Sequence, residues 1–167
     1  MRRNSSIVVP ELGRLLSRWA QEYKDRYRRY LRRSFTVPNP SGYNLDSVQQ
    51  DLDTSYHLKD CYAFTGAAAA SQAAPFVDVD TIDLYVSDDA RAEILRNPDS
   101  RPRVGPDLRV IHGFDAGVFL NSHRLSNQVP VVSDIQAYLD LFARGGRDLK
   151  QANYLRETRI EPLWRDR

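Results

Sequence analysis

Hydrophobic positions mark out the elements along the chain. Leu12, Leu15, Leu16, Trp19, Ala20, Tyr23 and Tyr27 recur at steps of three and four residues. With 3.6 residues per turn this spacing gathers them into one stripe, and it predicts a long amphipathic helix opened by Pro10 and Glu11. Two prolines and a glycine between Ser34 and Tyr43 stop that helix and predict an exposed linker. A short helix follows over 46–58, with Leu45, Val48, Leu52 and Tyr56 inward. The run Tyr62-Ala63-Phe64-Thr65-Gly66 leads into an alanine-rich helix over 67–74, with Thr65 as its cap and Pro75 as its stop. A strand lies within 77–86, where Ile82, Leu84 and Val86 alternate with Thr81, Asp83 and Tyr85. That alternation predicts one buried face and one polar face.

Ser87 or Asp88 caps a helix that runs through Ile94 and Leu95 to Asn97-Pro98. Strands are predicted at 108–112, 118–120 and 129–132, with a turn over 113–117 and a loop over 121–127. Ser133 or Asp134 caps the clearest helix of the body, in which Ile135, Tyr138, Leu139 and Phe142 share a face, and Gly145-Gly146 ends it. A last helix over 148–160 turns Leu149, Ala152 and Leu155 inward. The predicted fold class is α/β (α+β): a small mixed sheet packed by helices and led by a basic amphipathic helix. Residues 1–40 form the leading helix and linker, and 41–167 the body. The apolar stripe of the leading helix must be covered, either by the body or by a second copy of the chain as a homodimer.

Composition narrows the class. The single cysteine, Cys61, cannot form an internal bridge, so a reducing compartment, the cytoplasm, is expected. The basic start of the chain carries an apolar run cut short by Pro10, and no stretch approaches the roughly 20 apolar residues of a membrane span. No membrane partner is expected. The net charge of +2 is small, but its placement is uneven: Lys24, Arg26, Arg28, Arg29, Arg32 and Arg33 fall in one stretch, interleaved with Tyr27 and Tyr30. Arginines fork onto phosphates and tyrosines stack beside them, which makes these six the candidate nucleic-acid-binding residues. The same residues equally suit a solvated helix end, paired with Glu22 and Asp25 and complementing the helix dipole.

Catalytic chemistry finds little support. Asp78, Asp80 and Asp83 have the outline of a Mg²⁺-dependent nucleotide site, but no phosphate loop or basic clamp accompanies them, and aspartates flanking a strand are ordinarily solvated. Cys61, His57, His112 and His123 match no zinc spacing. Cys61 and His57 alone do not make a thiol nucleophile and base, and no Gly-x-Ser-x-Gly elbow or dinucleotide fingerprint is present. The expectation is a non-enzymatic binding protein with no catalytic residue, metal or cofactor.

A set of short motifs, taken in order, points to a family. They are Leu15-Leu16-Ser17-Arg18-Trp19-Ala20-Gln21-Glu22-Tyr23; Tyr62-Ala63-Phe64-Thr65-Gly66 with Ala68-Ala69-Ala70 and Ala74-Pro75-Phe76; Thr81-Ile82-Asp83-Leu84-Tyr85-Val86; and Asp115-Ala116-Gly117-Val118-Phe119. The most specific is Val129-Pro130-Val131-Val132-Ser133-Asp134-Ile135-Gln136-Ala137-Tyr138-Leu139-Asp140-Leu141. Over about Leu12 to Leu155 the chain resembles the C-terminal domain of the AbiEi antitoxins, transcriptional regulators of type IV toxin–antitoxin and abortive-infection systems. The resemblance implies a bacterial protein that neutralises a nucleotidyltransferase-like toxin, and often represses its own operon through an N-terminal winged helix-turn-helix. The first helix here corresponds to the connection after that DNA-binding domain. The expectation is therefore a lone antitoxin-type domain or a shortened form of a longer chain.

Overall fold

A computed structural model describes residues 11–39, 41–42, 44–58, 61–73, 81–96, 104–113, 116–125 and 127–165. The leading helix α1 (Leu12–Leu31) is followed by β1 (Phe35–Val37), α2 (Leu45–Ser55), β2 (Tyr62–Thr65), α3 (Gly66–Ala73), β3 (Ile82–Val86), α4 (Asp88–Arg96) and β4 (Leu108–His112). A 3₁₀ turn (Ala116–Phe119) precedes β5 (His123–Arg124), β6 (Pro130–Val131), α5 (Asp134–Arg144) and α6 (Arg147–Leu155). A π-helical turn (Arg156–Ile160) and the short α7 (Pro162–Arg165) complete the order. The fold is α+β. No helix among the described residues is long and apolar enough to cross a membrane.

The strands form one mixed sheet in the order β1-β4-β3-β2-β6-β5. β4 runs parallel to β3 and β6 parallel to β2, while the β1–β4, β2–β3 and β5–β6 pairs are antiparallel. Side chains alternate across a strand, so Tyr62, Phe64, Ile82, Leu84 and Val86 share one face, and Ala63, Thr65, Asp83 and Tyr85 share the other. On the first face the Tyr62 hydroxyl donates to Asp53 of α2 at 3.1 Å. On the second, the Thr65 and Tyr85 hydroxyls donate to Asp140 of α5. Helices therefore cover both faces, and α5 lies at the centre of its layer, packed against α1, α3 and α6.

Local chemistry explains the element ends. The Asn44 side chain caps α2 by accepting from the Asp46 amide at 2.8 Å, and the Ser133 hydroxyl caps α5 by accepting from the Gln136 amide at 3.2 Å. Ser87 accepts from the Ala90 amide and so caps α4. Gly145 and Gly146, with φ of 72° and 57°, turn the chain sharply between α5 and α6.

Several expectations are corrected. Phe35–Val37 is not linker but the edge strand β1, and His123–Arg124, read as loop, is β5. The segment 118–120 is not a strand; a 3₁₀ turn buries Val118 and leaves Leu120 outside. β3 is buried on both faces, because helices lie on each side. Thr65 does not serve as a cap, since it ends β2 and its hydroxyl is turned to Asp140. The last helix breaks into α6 and the π-helical turn. The expected strand residues 77–80, the Pro75 stop and the Asn97-Pro98 stop lie outside the described residues.

Candidate functional site

The stripe of α1 divides in two. Leu16, Ala20, Tyr23 and Tyr27 are buried, docking the helix on α5 of the same chain, whereas Leu15 and Trp19 are 50% and 48% exposed and Leu12 is 36% exposed. An exposed apolar ridge therefore runs along the N-terminal half of the helix. At its foot, a cleft of about 280 Å³ opens between α1 and the 3₁₀ turn, lined by Trp19, Tyr23, Arg26, Val118, Leu120 and Ile135. Leu120 stands at its rim, 67% exposed.

Charge divides along the same helix. In the N-terminal half Arg14 pairs with Glu11 at 2.7 Å and Arg18 with Glu22 at 3.0 Å. In the C-terminal half Lys24, Arg28, Arg29, Arg32 and Arg33 make no ion pair among the described residues. Glu22, a candidate local partner for this cluster, is engaged upstream instead. All six predicted binding residues thus lie on or just beyond the last turns of α1, and all but the half-buried Lys24 are exposed. They surround the helix rather than occupy one face. At about 100° per residue, Arg26 and Arg29 follow Leu12, Leu15 and Trp19 within one arc, while Lys24 and Arg28 lie on the opposite flank.

A buried polar network holds α1 in this position. Asp140, fully buried on α5, accepts at Oδ1 from the hydroxyls of Tyr23 at 2.6 Å and Tyr85 at 3.1 Å and from Gln136 Nε2 at 2.9 Å. Its Oδ2 accepts from the Thr65 hydroxyl. Gln136 also donates to the Tyr23 hydroxyl at 2.8 Å. Burial pushes the Asp140 carboxyl up to about 7, against the four hydrogen bonds that favour its charge. Burial likewise raises the Tyr23 and Tyr85 hydroxyls, and the Asp140 charge adds to it.

A second buried group sits alongside. Asp83 Oδ2 meets Arg144 Nη1 at 2.6 Å, Arg109 Nε lies 3.8 Å from Oδ1, and Arg144 reaches on to Asp148 at 2.7 Å. Burial raises the Asp83 carboxyl, and Arg144 and then Arg109 oppose it. Gly66 lies beside it at φ 58°, a left-handed conformation that residues with a Cβ rarely adopt. The Asp83 carboxylate is thus committed to arginines inside the protein, in no position to meet a metal from solvent. Asp78 and Asp80 lie outside the described residues. Among the described residues no group of three or more His, Cys, Asp or Glu is placed to hold a metal, and no hydrogen bond joins Cys61 to His57.

The Asp140 carboxyl gives a pH signature. Its folded value of about 7 lies above the 3.8 of the unfolded chain, so the native state binds more protons between these limits and stability from this group falls as pH rises from about 4 to about 7. The contribution is on the order of 4 kcal/mol from a shift of this size. Urea denaturation from pH 4 to 8 is expected to show this slope in the native chain and its loss in Asp140→Asn. A variant that keeps the slope would assign it to another group.

These buried groups were not foreseen as a unit, yet the motifs contain them. Tyr23 comes from the first, Thr65 and Gly66 from the second, Asp83 and Tyr85 from the third, and Gln136 and Asp140 from the longest. Four of the five motifs, unconnected along the chain, converge on the contact that fixes α1 to the body. No curated protein and no solved structure matches the chain. The family model described as transcriptional regulator, AbiEi antitoxin, type IV TA system matches residues 8–161, and the chain belongs to that family.

Proposed function

We propose that the chain neutralises a cognate nucleotidyltransferase-like toxin by direct protein–protein contact in the cytoplasm, covering the toxin's working surface without catalysis of its own. The observation that carries this reading is the exposed apolar ridge of α1, held rigidly by the buried network in a member of an antitoxin family. Exposed apolar side chains grouped on a rigid element are the ordinary material of a protein interface. Co-expression with a cognate nucleotidyltransferase-like toxin is expected to restore growth and yield a complex on size-exclusion chromatography. A toxin that stays fully active, with no complex, would overturn the reading.

A second reading, autoregulation through DNA contact by Lys24, Arg26, Arg28, Arg29, Arg32 and Arg33, is favoured by the five of these cations, all but Arg26, that make no ion pair among the described residues. Such binding weakens with salt as about −0.9 per phosphate neutralised on a log–log plot. Absence of binding to operator duplex at low salt disposes of it.

A further inference from the structure

We infer that the cleft between α1 and the 3₁₀ turn is a binding site for one unstacked nucleotide, with its base in the cleft and its phosphate on Arg26. The inference stands apart from the toxin reading, which needs the ridge of α1 and no small ligand. The lining is of two kinds: Trp19, Val118, Leu120 and Ile135 give apolar walls, while Ser133 and Gln136 bring polar atoms to the same space. Gln136 decides the chemistry. It is only 9% exposed, and its Nε2 is engaged by the Tyr23 hydroxyl at 2.8 Å and Asp140 Oδ1 at 2.9 Å. A carboxylate accepts, so the amide nitrogen is the end that faces Asp140 and the carbonyl oxygen is left over. That oxygen accepts from no donor among the described residues. Ser133 is its counterpart: the hydroxyl accepts from the Gln136 backbone amide at 3.2 Å, and its own proton has no acceptor among the described residues.

The cleft thus offers one acceptor and one donor between apolar walls, and a nearly buried amide oxygen is costly to leave unpaired. A planar ring whose edge carries a donor beside an acceptor meets both groups, and every nucleobase has such an edge. Trp19, 48% exposed, supplies a π-face on which that ring stacks. Arg26 lines the same cleft, and its planar guanidinium forks onto phosphate oxygens. Arg29, exposed and without an ion pair among the described residues, stands one turn further along the helix. The volume of about 280 Å³ lies at the small end of ligand pockets and suits one base with its sugar. An aliphatic side chain from a protein would fill the walls and leave the Gln136 oxygen unpaired.

The test titrates the full chain with adenosine, thymidine and uridine 5′-monophosphates and follows backbone amide shifts by NMR. Saturable shifts at Gly117, Asn121 and Gln136, with a Kd of about 1 mM or tighter, are expected. Trp19→Ala is expected to weaken binding about tenfold or more, the scale of one lost stacking contact. Arg26→Gln is expected to bring adenosine monophosphate down to the affinity of adenosine, while Lys150→Gln on α6 leaves binding unchanged. Trp19 and Arg26 are exposed, so both variants keep the fold. A short oligo(dT) separates the two sources of the ligand: affinity per site above that of thymidine monophosphate assigns the nucleotide to a single strand, and equal affinity assigns it to the free pool. Benzyl phosphate carries a ring and a phosphate but no donor–acceptor edge, and binding as tight as that of the nucleotides would overturn the base as occupant. No saturation by mononucleotides or oligonucleotide, or variants that bind as the native chain does, would overturn the site. Formation of a toxin complex is read separately and survives either result.

Discussion

Replacing Arg144 with methionine is expected to destabilise the protein by about 3–5 kcal/mol, the cost of leaving a buried charge without its partner. Asp83 is wholly inside, on the central strand β3, and Arg144 Nη1 at 2.6 Å is its close cation. Arg109 at 3.8 Å remains in the variant but makes no hydrogen bond to Oδ1. Methionine fills much of the volume without the charge, so the loss is electrostatic rather than a cavity. Arg144 is the larger of the two influences holding the Asp83 carboxyl down, and without it the folded value rises further above the unfolded one. The deficit of the variant should therefore shrink as pH falls and Asp83 takes up a proton. Urea denaturation of the native chain, Arg144→Met and Asp83→Asn/Arg144→Met checks this, with the double variant expected to recover most of the loss. A single variant within about 1 kcal/mol of the native chain at pH 8 would show that the pair contributes nothing.

The second large effect concerns how α1 is held. Asp140→Ala removes the acceptor shared by Tyr23, Tyr85, Thr65 and Gln136. Part of the loss is recovered, because the Tyr23 and Tyr85 hydroxyls lie 3.3 Å apart and Gln136 already donates to Tyr23. Release of a buried carboxylate also returns its desolvation cost above pH 7. The expected net loss is about 2–4 kcal/mol, which in a chain of this size lowers Tm by roughly 5–15 °C. Tyr23 is the α1 member of the network, so hydrogen exchange should rise more in α1 than in α6. Uniform acceleration across both helices would mean that Asp140 supports the whole core and does not single out α1.

The elements that could be read from the sequence were those with enough residues to show a period. α1 and α5 declared themselves over three or more turns, and β4 lies where it was expected. β1 escaped because Phe35 and Val37 flank Thr36 in a strand of three residues, and the prolines beyond it speak more loudly. Val118-Phe119-Leu120 presents three apolar residues in a row, a pattern compatible with strand or turn alike. Within α1, periodicity located the stripe but could not say that Leu12, Leu15 and Trp19 would remain outside while Leu16, Ala20, Tyr23 and Tyr27 docked.

The buried network was illegible for a different reason: apart from the Gln136–Asp140 bond, its bonds join residues 55 to 117 positions apart, beyond any local pattern. One signal was present. Gln136 and Asp140 stand four residues apart on a helix whose neighbouring positions are almost all apolar, and a polar pair on such a helix must find partners inside. The basic cluster was plain in the sequence, whereas the finding that Lys24, Arg28, Arg29, Arg32 and Arg33 make no ion pair among the described residues required coordinates. So did the cleft beside it, whose walls come from α1, the 3₁₀ turn and the start of α5.

The tie between Tyr23 and Asp140 spans 117 residues, and it bears on how the protein is born. At about 5–20 residues per second, a ribosome needs roughly 6–23 s to pass from one to the other. Throughout that interval α1 has been made while α5, the helix it docks on, does not yet exist. Its tyrosines and arginines are then exposed together, so the nascent chain displays this helix before it has a body to restrain it.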